Sequence, residues 1–204
     1  MKVAVIGAGG MGRGIARLLV GAHEVSIGSR DPERAIRQAE ELGTAGGGGY
    51  GDVATGADIV FLTVPWTAVD ETLSQLGGLR GKVLVDVTNP FVGGKLELHA
   101  DSSGAERIQE QVPGTSVVKG WNTIYEPVLA AVGDFGGQAP SVFLAADDAA
   151  AKETVASLAR DMGFDPVDCG PLVSARDLER LLSTFHAIGY GLERGNWALK
   201  VLIR

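Results

Sequence analysis

Short apolar runs alternate along the chain with amphipathic segments, a pattern typical of buried strands joined by helices. The first run, residues 3–6, has no polar alternation and is followed directly by glycines. Apolar residues then recur at Met11, Ile15, Leu18 and Leu19, which lie on one face of a helix. This segment predicts a strand covered on both faces, a tight turn and an amphipathic helix.

The same alternation continues towards the C-terminus. Further strands are predicted at residues 24–28, 59–63, 83–87, 116–119 and 142–145. Helices are predicted from Pro32, with Asp31 as the N-cap, to about residue 42, and at residues 68–76, 105–111, 149–162 and 178–188. Strand and helix in this order predict an α/β fold, with a doubly wound, mostly parallel sheet wrapped on both faces.

Four consecutive glycines, at residues 46–49, interrupt this order. Because glycine favours neither helix nor strand, residues 44–52 are predicted as a flexible loop around a weak strand. The pattern changes again after Gly170 and Pro171. We therefore expect one large domain over residues 1–170 and a C-terminal helical segment over residues 171–204, packed on that domain or on a partner subunit.

Composition narrows the class of protein. The 204 residues carry a formal charge of −7 and a single cysteine, Cys169. An acidic chain is a poor match for nucleic acid, and no apolar run approaches the roughly 18 residues of a membrane helix. The first apolar stretch is too short for a signal peptide. We expect a cytoplasmic protein with a small-molecule ligand, and neither a nucleic-acid nor a membrane partner.

Gly7, Gly9 and Gly12 form the pattern G-x-G-x-x-G between the first predicted strand and the first helix. In that context the pattern predicts the dinucleotide-binding turn of a Rossmann domain. Gly7 permits the sharp turn, Gly9 lets a pyrophosphate approach the backbone, and Gly12 lets helix and strand pack closely. The phosphates would lie at the helix N-terminus. A tight turn that binds nothing is the alternative.

The end of the second predicted strand distinguishes NADP from NAD. An NAD site would place an acidic residue there for the ribose 2′-hydroxyl, whereas this chain has Ser29 and Arg30. Both can bind a 2′-phosphate, and Arg34, one helical turn later, could join them or remain a solvated surface charge. Asp31 could reach a ribose, but capping the next helix is its simpler role. The pattern favours NADP.

These motifs resemble the family of NADP oxidoreductases that depend on coenzyme F420, a deazaflavin. The resemblance extends from Met1 to about Leu192 and is carried by the glycine turn, by Ser29 and Arg30, and by residues 57–65, 86–90 and 117–123. It implies a Rossmann fold and hydride transfer between the nicotinamide and the deazaflavin. Because the broader family includes flavin reductases, FMN or FAD stays open as the acceptor.

The resemblance also implies which residues meet the ligands. It places Gly9, Gly10 and Met11 at the pyrophosphate within the turn formed with Gly7, Ala8 and Gly12; Ser29, Arg30 and Arg34 at the 2′-phosphate; Thr63, Val64 and Pro65 between adenine and nicotinamide; and Asn89 and Pro90 near the nicotinamide. Trp121 and Asn122 would lie near the acceptor, where Trp121 could stack on a flat ring or be a partly buried aromatic. Direct hydride transfer requires no acid–base pair, so no certain catalytic side chain is expected.

Two other functions stay open. One is an NADP-binding redox sensor without turnover. The other is an NADP-dependent dehydrogenase of a small carbonyl or imine, for which Lys119 is the sole candidate lysine at a strand end. The three histidines have no metal-like spacing, so no metal is expected. The apolar stripe of the last helix favours a homodimer.

Overall fold

The computed structural model describes residues 1–191 and 197–202. Its strands and helices, in chain order, are β1 (Lys2–Ile6), α1 (Gly10–Leu19), β2 (Glu24–Gly28), α2 (Pro32–Leu42), β3 (Gly46–Gly48), α3 (Tyr50–Thr55), β4 (Ile59–Leu62), α4 (Val69–Gln75), β5 (Val83–Asp86), β6 (Phe91–Val92), β7 (Lys95–Leu96), α5 (Gly104–Gln111), β8 (Ser116–Lys119), β9 (Ser141–Leu144), α6 (Ala149–Asp161), β10 (Asp165–Asp168) and α7 (Ala175–Gly191). Short 3-10 turns occupy Trp66–Ala68, Glu126–Ala130 and Leu172–Ser174. All the predicted strands and helices are present, and the structure adds α3, the β6–β7 hairpin and β10.

The main sheet has six parallel strands in the order β3-β2-β1-β4-β5-β8. The chain builds outwards from β1 to β3, returns to β4 on the other side of β1, and continues outwards to β8. This reversal opens a crevice beyond the carboxyl ends of β1 and β4, which is where open α/β sheets bind ligands. The doubly wound α/β prediction is confirmed.

Two hydrophobic clusters cover the two faces of the sheet. Val3 and Val5 of β1 belong to one cluster, and Ala4 and Ile6 belong to the other. All four side chains are buried, since successive strand residues point to opposite faces and helices cover both. The uninterrupted apolar run at the N-terminus therefore has a direct structural cause.

The weak strand predicted within residues 44–52 is confirmed as β3, and α3 begins at Tyr50, where a flexible loop was predicted. β3 pairs in parallel with β2, Gly47 opposite Ile27. A Cβ added to Gly47 would lie 2.3 Å from the backbone oxygen of Ala35 in α2. Glycine is thus required because the α2 backbone lies directly against the strand.

Gly47→Ala is expected to destabilise the fold by about 1–3 kcal/mol, because the added methyl group meets rigid backbone. Gly46→Ala is the matched control, since the nearest atom to its added Cβ is the Ser26 hydroxyl at 3.7 Å. Urea unfolding of the two variants measures the difference. Equal midpoints for both would contradict the close approach of α2.

The last helix packs on its own chain. Arg176 donates two hydrogen bonds to Glu106 of α5, at 2.8 and 2.7 Å. Leu199 accepts a hydrogen bond from the backbone N–H of Ser141, so the segment 197–202 begins beside β9. Residues 192–196 and 203–204 of the expected C-terminal segment lie outside the described residues. The division at residue 170 stays a prediction.

The Arg176–Glu106 pair makes the attachment of α7 dependent on pH. Its hydrogen bonds hold the pKa of the Glu106 carboxyl below the ordinary value. A carboxyl group with a lowered pKa in the folded state stabilises the fold above its unfolded pKa, and this stabilisation is lost as the pH falls through the folded value.

Arg176→Met is expected to lower the urea midpoint at pH 7, and the difference from the native chain should shrink as the medium is acidified. Arg160→Met is the control, because Arg160 and Glu153 form a pair that is more than half exposed. A difference between Arg176→Met and the native chain that does not depend on pH would exclude this role for Glu106.

Candidate dinucleotide cleft

A cleft of about 780 Å³ opens at the crevice beyond β1 and β4. Its lining residues are Gly7, Ala8, Gly9, Gly10, Met11, Ser29, Arg30, Asp31, Arg34, Tyr50, Thr63, Val64, Pro65, Trp66, Thr67, Ala68, Val87, Thr88 and Asn89. Of the residues expected to contact NADP, the lining leaves out only Gly12 and Pro90, and both are buried. The cleft thus brings together residues that follow five different strands of the sheet.

The glycine turn has the geometry that its spacing predicts. Gly7 has a φ of +123° and donates its N–H to the carbonyl of Gly28. A Cβ on Gly12 would lie 1.9 Å from the Gly7 oxygen, so helix and strand are in close backbone contact. Nothing lies within 4 Å of a Cβ added to Gly9, which faces the cleft. The space beside Gly9 is therefore open to an anion at the start of α1, whereas a Cβ added to Gly10 would meet the carboxylate of Glu126.

One end of the cleft is basic. Arg34 donates to the carbonyl oxygen of Ala8 at 2.9 Å, which holds its guanidinium against the glycine turn. Arg30 is exposed and Ser29 is buried, and both line the cleft. Among the described residues neither arginine forms an ion pair with a carboxylate.

Asp31 also lies at this end, and its carboxylate caps α2. One oxygen accepts the backbone N–H of Arg34 at 3.1 Å. The backbone N–H of Asp31 in turn donates to the Ser29 hydroxyl oxygen at 3.1 Å, so the Ser29 hydroxyl proton can point elsewhere. The capping role expected for Asp31 is confirmed, and Ser29 keeps a donor for a ligand.

The opposite end of the cleft has an amide on its floor. Asn89 donates to the backbone oxygen of Asn122 at 2.8 Å and accepts from the Asn122 side chain at 3.2 Å. Asn122 also donates to the carbonyl of Leu178 in α7 at 2.9 Å. Because backbone carbonyls only accept, these contacts fix the orientation of both amides. Asn89 keeps one N–H and one lone pair for a ligand, and Asn122 acts behind it.

Trp121 does not line the cleft. Its side chain is fully buried, with edge contacts to Phe61 at 5.4 Å and Phe164 at 6.3 Å between ring centroids. Its backbone has a φ of 55°, the only positive value at a residue other than glycine in the part of the chain described here. This turn directs the indole into the core, so the idea that Trp121 stacks on a flat ring is wrong.

A buried ion cluster lies beneath the amide end; it consists of Asp86, Lys119 and Glu179. The Lys119 ammonium donates to Asp86 at 2.8 Å, to Glu179 at 2.9 Å and to the backbone oxygen of Thr88 at 2.7 Å. Asp86 also accepts from the backbone N–H and the hydroxyl of Thr88. Glu179 accepts the N–H of Gly104 at the start of α5.

Lys119 is a structural cation. Burial alone would lower its pKa, but the charges of Asp86 and Glu179 and their hydrogen bonds outweigh burial and raise the pKa above the ordinary value. All three of its N–H donors are engaged and none of its surface is exposed. Lys119 therefore cannot serve as the catalytic lysine of a carbonyl or imine dehydrogenase.

Similar proteins identify the family. The family described as NADP oxidoreductase, coenzyme F420-dependent, matches residues 2–90. The F420-dependent NADP reductase of Methanothermobacter thermautotrophicus (strain Delta H) is 37% identical over 206 residues, which cover 89% of this chain and 86% of that protein. The chain belongs to this family. Membership in the F420-dependent NADP oxidoreductases makes it an NADP-linked oxidoreductase.

One solved structure and one further relative are also similar to this chain. A crystal structure of a candidate F420-dependent NADP reductase from Arthrobacter sp. FB24 superposes with a TM-score of 0.90 at 33% identity and 100% coverage of both chains. Metalloreductase STEAP3 of Rattus norvegicus is 34% identical over 88% of this chain, which spans only 36% of that protein. Within the described residues no helix is long and apolar enough to cross a membrane.

The sequence interpretation missed several residues that line the cleft of this F420-dependent family member. They are Tyr50, Thr67, Ala68, Val87, Thr88 and Trp66. Position at the end of a predicted strand could have indicated Thr88 and Trp66, since β5 ends at Asp86 and β4 at Leu62. Tyr50 had no such signal, because it begins α3, a short helix that directly follows the four glycines and was not predicted.

Proposed function

We propose that the chain transfers a hydride between NADP(H) and coenzyme F420, with FMN or FAD as the alternative acceptor. One observation carries the proposal: a single cleft joins the basic end at Ser29 and Arg30 to the amide floor at Asn89 by way of the glycine turn. This order matches the 2′-phosphate, the pyrophosphate and the nicotinamide of one extended NADP molecule. The F420-dependent relatives support the deazaflavin as the acceptor.

The residues present fit NADP. In the proposal, Gly9, Gly10 and Met11 bind the pyrophosphate through their backbone N–H groups, where the space beside Gly9 is open. Ser29 and Arg30 bind the 2′-phosphate, and Arg34 adds a second guanidinium beside the turn.

The middle of the cleft is formed by Thr63, Val64 and Pro65. The Thr63 hydroxyl lies 2.9 Å from the Ile6 oxygen and 3.2 Å from the Gly7 oxygen, so it ties the end of β4 to the glycine turn. We assign Thr63 the role of holding the glycine turn in place. In the proposal the bound dinucleotide passes over this side chain. Pro90 does not line the cleft, and we assign it the role of fixing the backbone direction immediately after Asn89.

The nicotinamide is assigned to the amide floor. A carboxamide presents one acceptor oxygen and an NH₂ donor, which complement the free N–H and lone pair of Asn89. NADPH supplies a hydride from its nicotinamide ring, and the protein contributes distance and orientation. Asn122 has no access of its own to the ligand and positions Asn89.

Trp66 replaces Trp121 as the acceptor-side aromatic. Trp66 lines the cleft, and the guanidinium of Arg107 lies 5.3 Å from the centroid of its ring. Gly104 packs against the same ring, where an added Cβ would come within 3.0 Å. An indole held in this way can contact a flat acceptor ring without ordering further side chains.

Purified protein mixed with NADPH and oxidised F420, FMN or FAD tests the proposal. Loss of the visible absorbance of the deazaflavin at a rate well above that of either flavin is the expected result. Faster reduction of a flavin would change the acceptor. Tight NADPH binding without turnover of any acceptor would favour the redox sensor, and absence of NADPH binding would overturn the proposal.

Trp66→Ala provides a second arm of this assay. It should raise the KM for the acceptor and leave the Kd for NADPH nearly unchanged, because the proposal assigns Trp66 to the acceptor ring and the NADPH contacts to other residues. Trp197→Ala, in the aromatic stack of Tyr125 and Phe185 outside the cleft, is the control. An unchanged acceptor KM in Trp66→Ala would remove the assignment.

A homodimer and a cytoplasmic location stay proposals from the sequence. Leu178 is buried within its own chain, whereas Leu181, Leu182 and Phe185 are half-buried. The apolar stripe of α7 is thus partly covered before any partner binds. Sedimentation velocity of the purified chain tests the dimer, and a purely monomeric boundary at micromolar concentration would exclude it.

A further inference from the structure

The buried ion cluster carries a formal charge of −1, from two carboxylates and one ammonium. Asp86 and Lys119 have no exposed surface, and Glu179 is 2% exposed. Every hydrogen bond to the two carboxyl groups comes from an N–H or O–H donor, including Thr88 and Gly104. The two carboxyl groups therefore face only donors, and they share a single ammonium.

Burying three ionisable side chains in a protein core is energetically unfavourable. Apolar side chains of similar volume are often equally stabilising, because removing charges from water costs free energy that the ion pairs only partly repay. Asp86 alone would neutralise Lys119. Glu179, which reaches the cluster from α7 and also accepts the N–H of Gly104 at the start of α5, supplies the negative charge in excess.

The location of the cluster suggests a role for this charge. Thr88, which is bonded to both Asp86 and Lys119, lines the cleft directly beside Asn89. The excess negative charge therefore lies behind the floor on which the nicotinamide is assigned. Charges act over longer distances in a buried site than in water, since the surroundings screen them less.

We propose that the buried ion cluster selects NADP⁺ over NADPH, and that Glu179 supplies the charge that does so. The oxidised nicotinamide ring is positively charged and the reduced ring is neutral, so a fixed negative charge behind the floor stabilises the oxidised form selectively. The same preference favours donation of a hydride by bound NADPH. The inference rests on the proposed function, because that function assigns the nicotinamide to Asn89.

Glu179→Gln is the test variant. The glutamine oxygen, placed where Oε1 lies, can still accept from Lys119 and from the N–H of Gly104, so the variant removes the charge and loses only the bond from Gly104 to Oε2. Asp177→Asn makes the same change of charge two positions away, where the carboxylate is 86% exposed. Kd values for NADP⁺ and NADPH are measured by isothermal titration for the native chain and both variants.

The ratio of the Kd for NADP⁺ to the Kd for NADPH is expected to rise roughly tenfold in Glu179→Gln, as for unit charges about 10 Å apart at an effective dielectric constant of about 20. The Kd for NADPH should change little, and Asp177→Asn should leave both constants unchanged. A merely structural role would weaken both ligands together and leave the ratio unchanged, which would overturn the inference.

Other outcomes remain decisive. If Glu179→Gln does not fold, as judged by its circular dichroism and unfolding midpoint, Asp86→Asn makes the same change of charge from the sheet side and must raise the same ratio. An unchanged ratio there refutes the inference. If the native chain binds neither nucleotide, the proposed function fails; if it binds both and the ratio does not respond, only the role of the cluster fails.

Discussion

Arg30→Ala is expected to weaken NADPH binding by about 1.5–3 kcal/mol, the scale of a hydrogen bond to a charged group, and to leave NADH binding almost unchanged. The exposed guanidinium of Arg30 lines the basic end of the cleft beside the buried Ser29 hydroxyl. The 2′-phosphate is the only group that distinguishes the two nucleotides. Losing the contact between Arg30 and the 2′-phosphate should therefore bring the Kd for NADPH closer to the Kd for NADH.

Fluorescence titration of both reduced nucleotides measures this selectivity. Arg37→Ala is the matched control, since Arg37 lies on α2, which begins two residues after Arg30, pairs with Glu33 and does not line the cleft. Equal weakening of NADPH and NADH by Arg30→Ala would remove the 2′-phosphate from this end of the cleft. It would also reverse the preference for NADP drawn from the strand end.

Gly12→Ala and Gly9→Ala should separate folding from binding within one turn. At Gly12 an added Cβ would lie 1.9 Å from the Gly7 oxygen, so the fold should lose about 3 kcal/mol or more. At Gly9 the added Cβ would meet no protein atom within 4 Å but would project into the cleft. Gly9→Ala should keep the native unfolding midpoint and bind NADPH at least about tenfold more weakly.

Urea unfolding and NADPH titration of both variants test the pair. A stable Gly12→Ala chain would show that helix and strand are less closely packed than described. Native affinity in Gly9→Ala would show that the phosphates do not approach this backbone. Either result would leave the other prediction standing, because the two glycines act through different contacts.

The sheet could be predicted because its strands are buried on both faces. In β1 neither neighbour of Val5 is polar, and an apolar run of this length between polar and glycine-rich segments is typical of a strand covered by helices. β3 could be predicted only as a weak strand within a loop, because glycine carries no hydrophobic pattern. It forms a strand through a tertiary contact, the approach of the α2 backbone to Gly47, and local sequence contains no trace of that contact.

The glycine turn was more predictable than the amide end of the cleft. The glycine turn is local in sequence, so spacing alone determines where Gly7 and Gly9 lie relative to α1. The partners of Lys119 are 33 and 60 positions away, and no local pattern reveals them. Trp121 shows a related difficulty: position after a strand does not indicate whether a side chain faces the cleft or the core.

The two edge strands of the main sheet, β3 and β8, differ in composition and in what lies beside them. At one margin β3 offers only three glycines, a length and composition that make a poor template for another strand. At the other, β8 meets β9 through an antiparallel bridge between Lys119 and Ala145. Neither margin presents a long, apolar strand edge. Self-association of the chain by extension of its main sheet is therefore disfavoured.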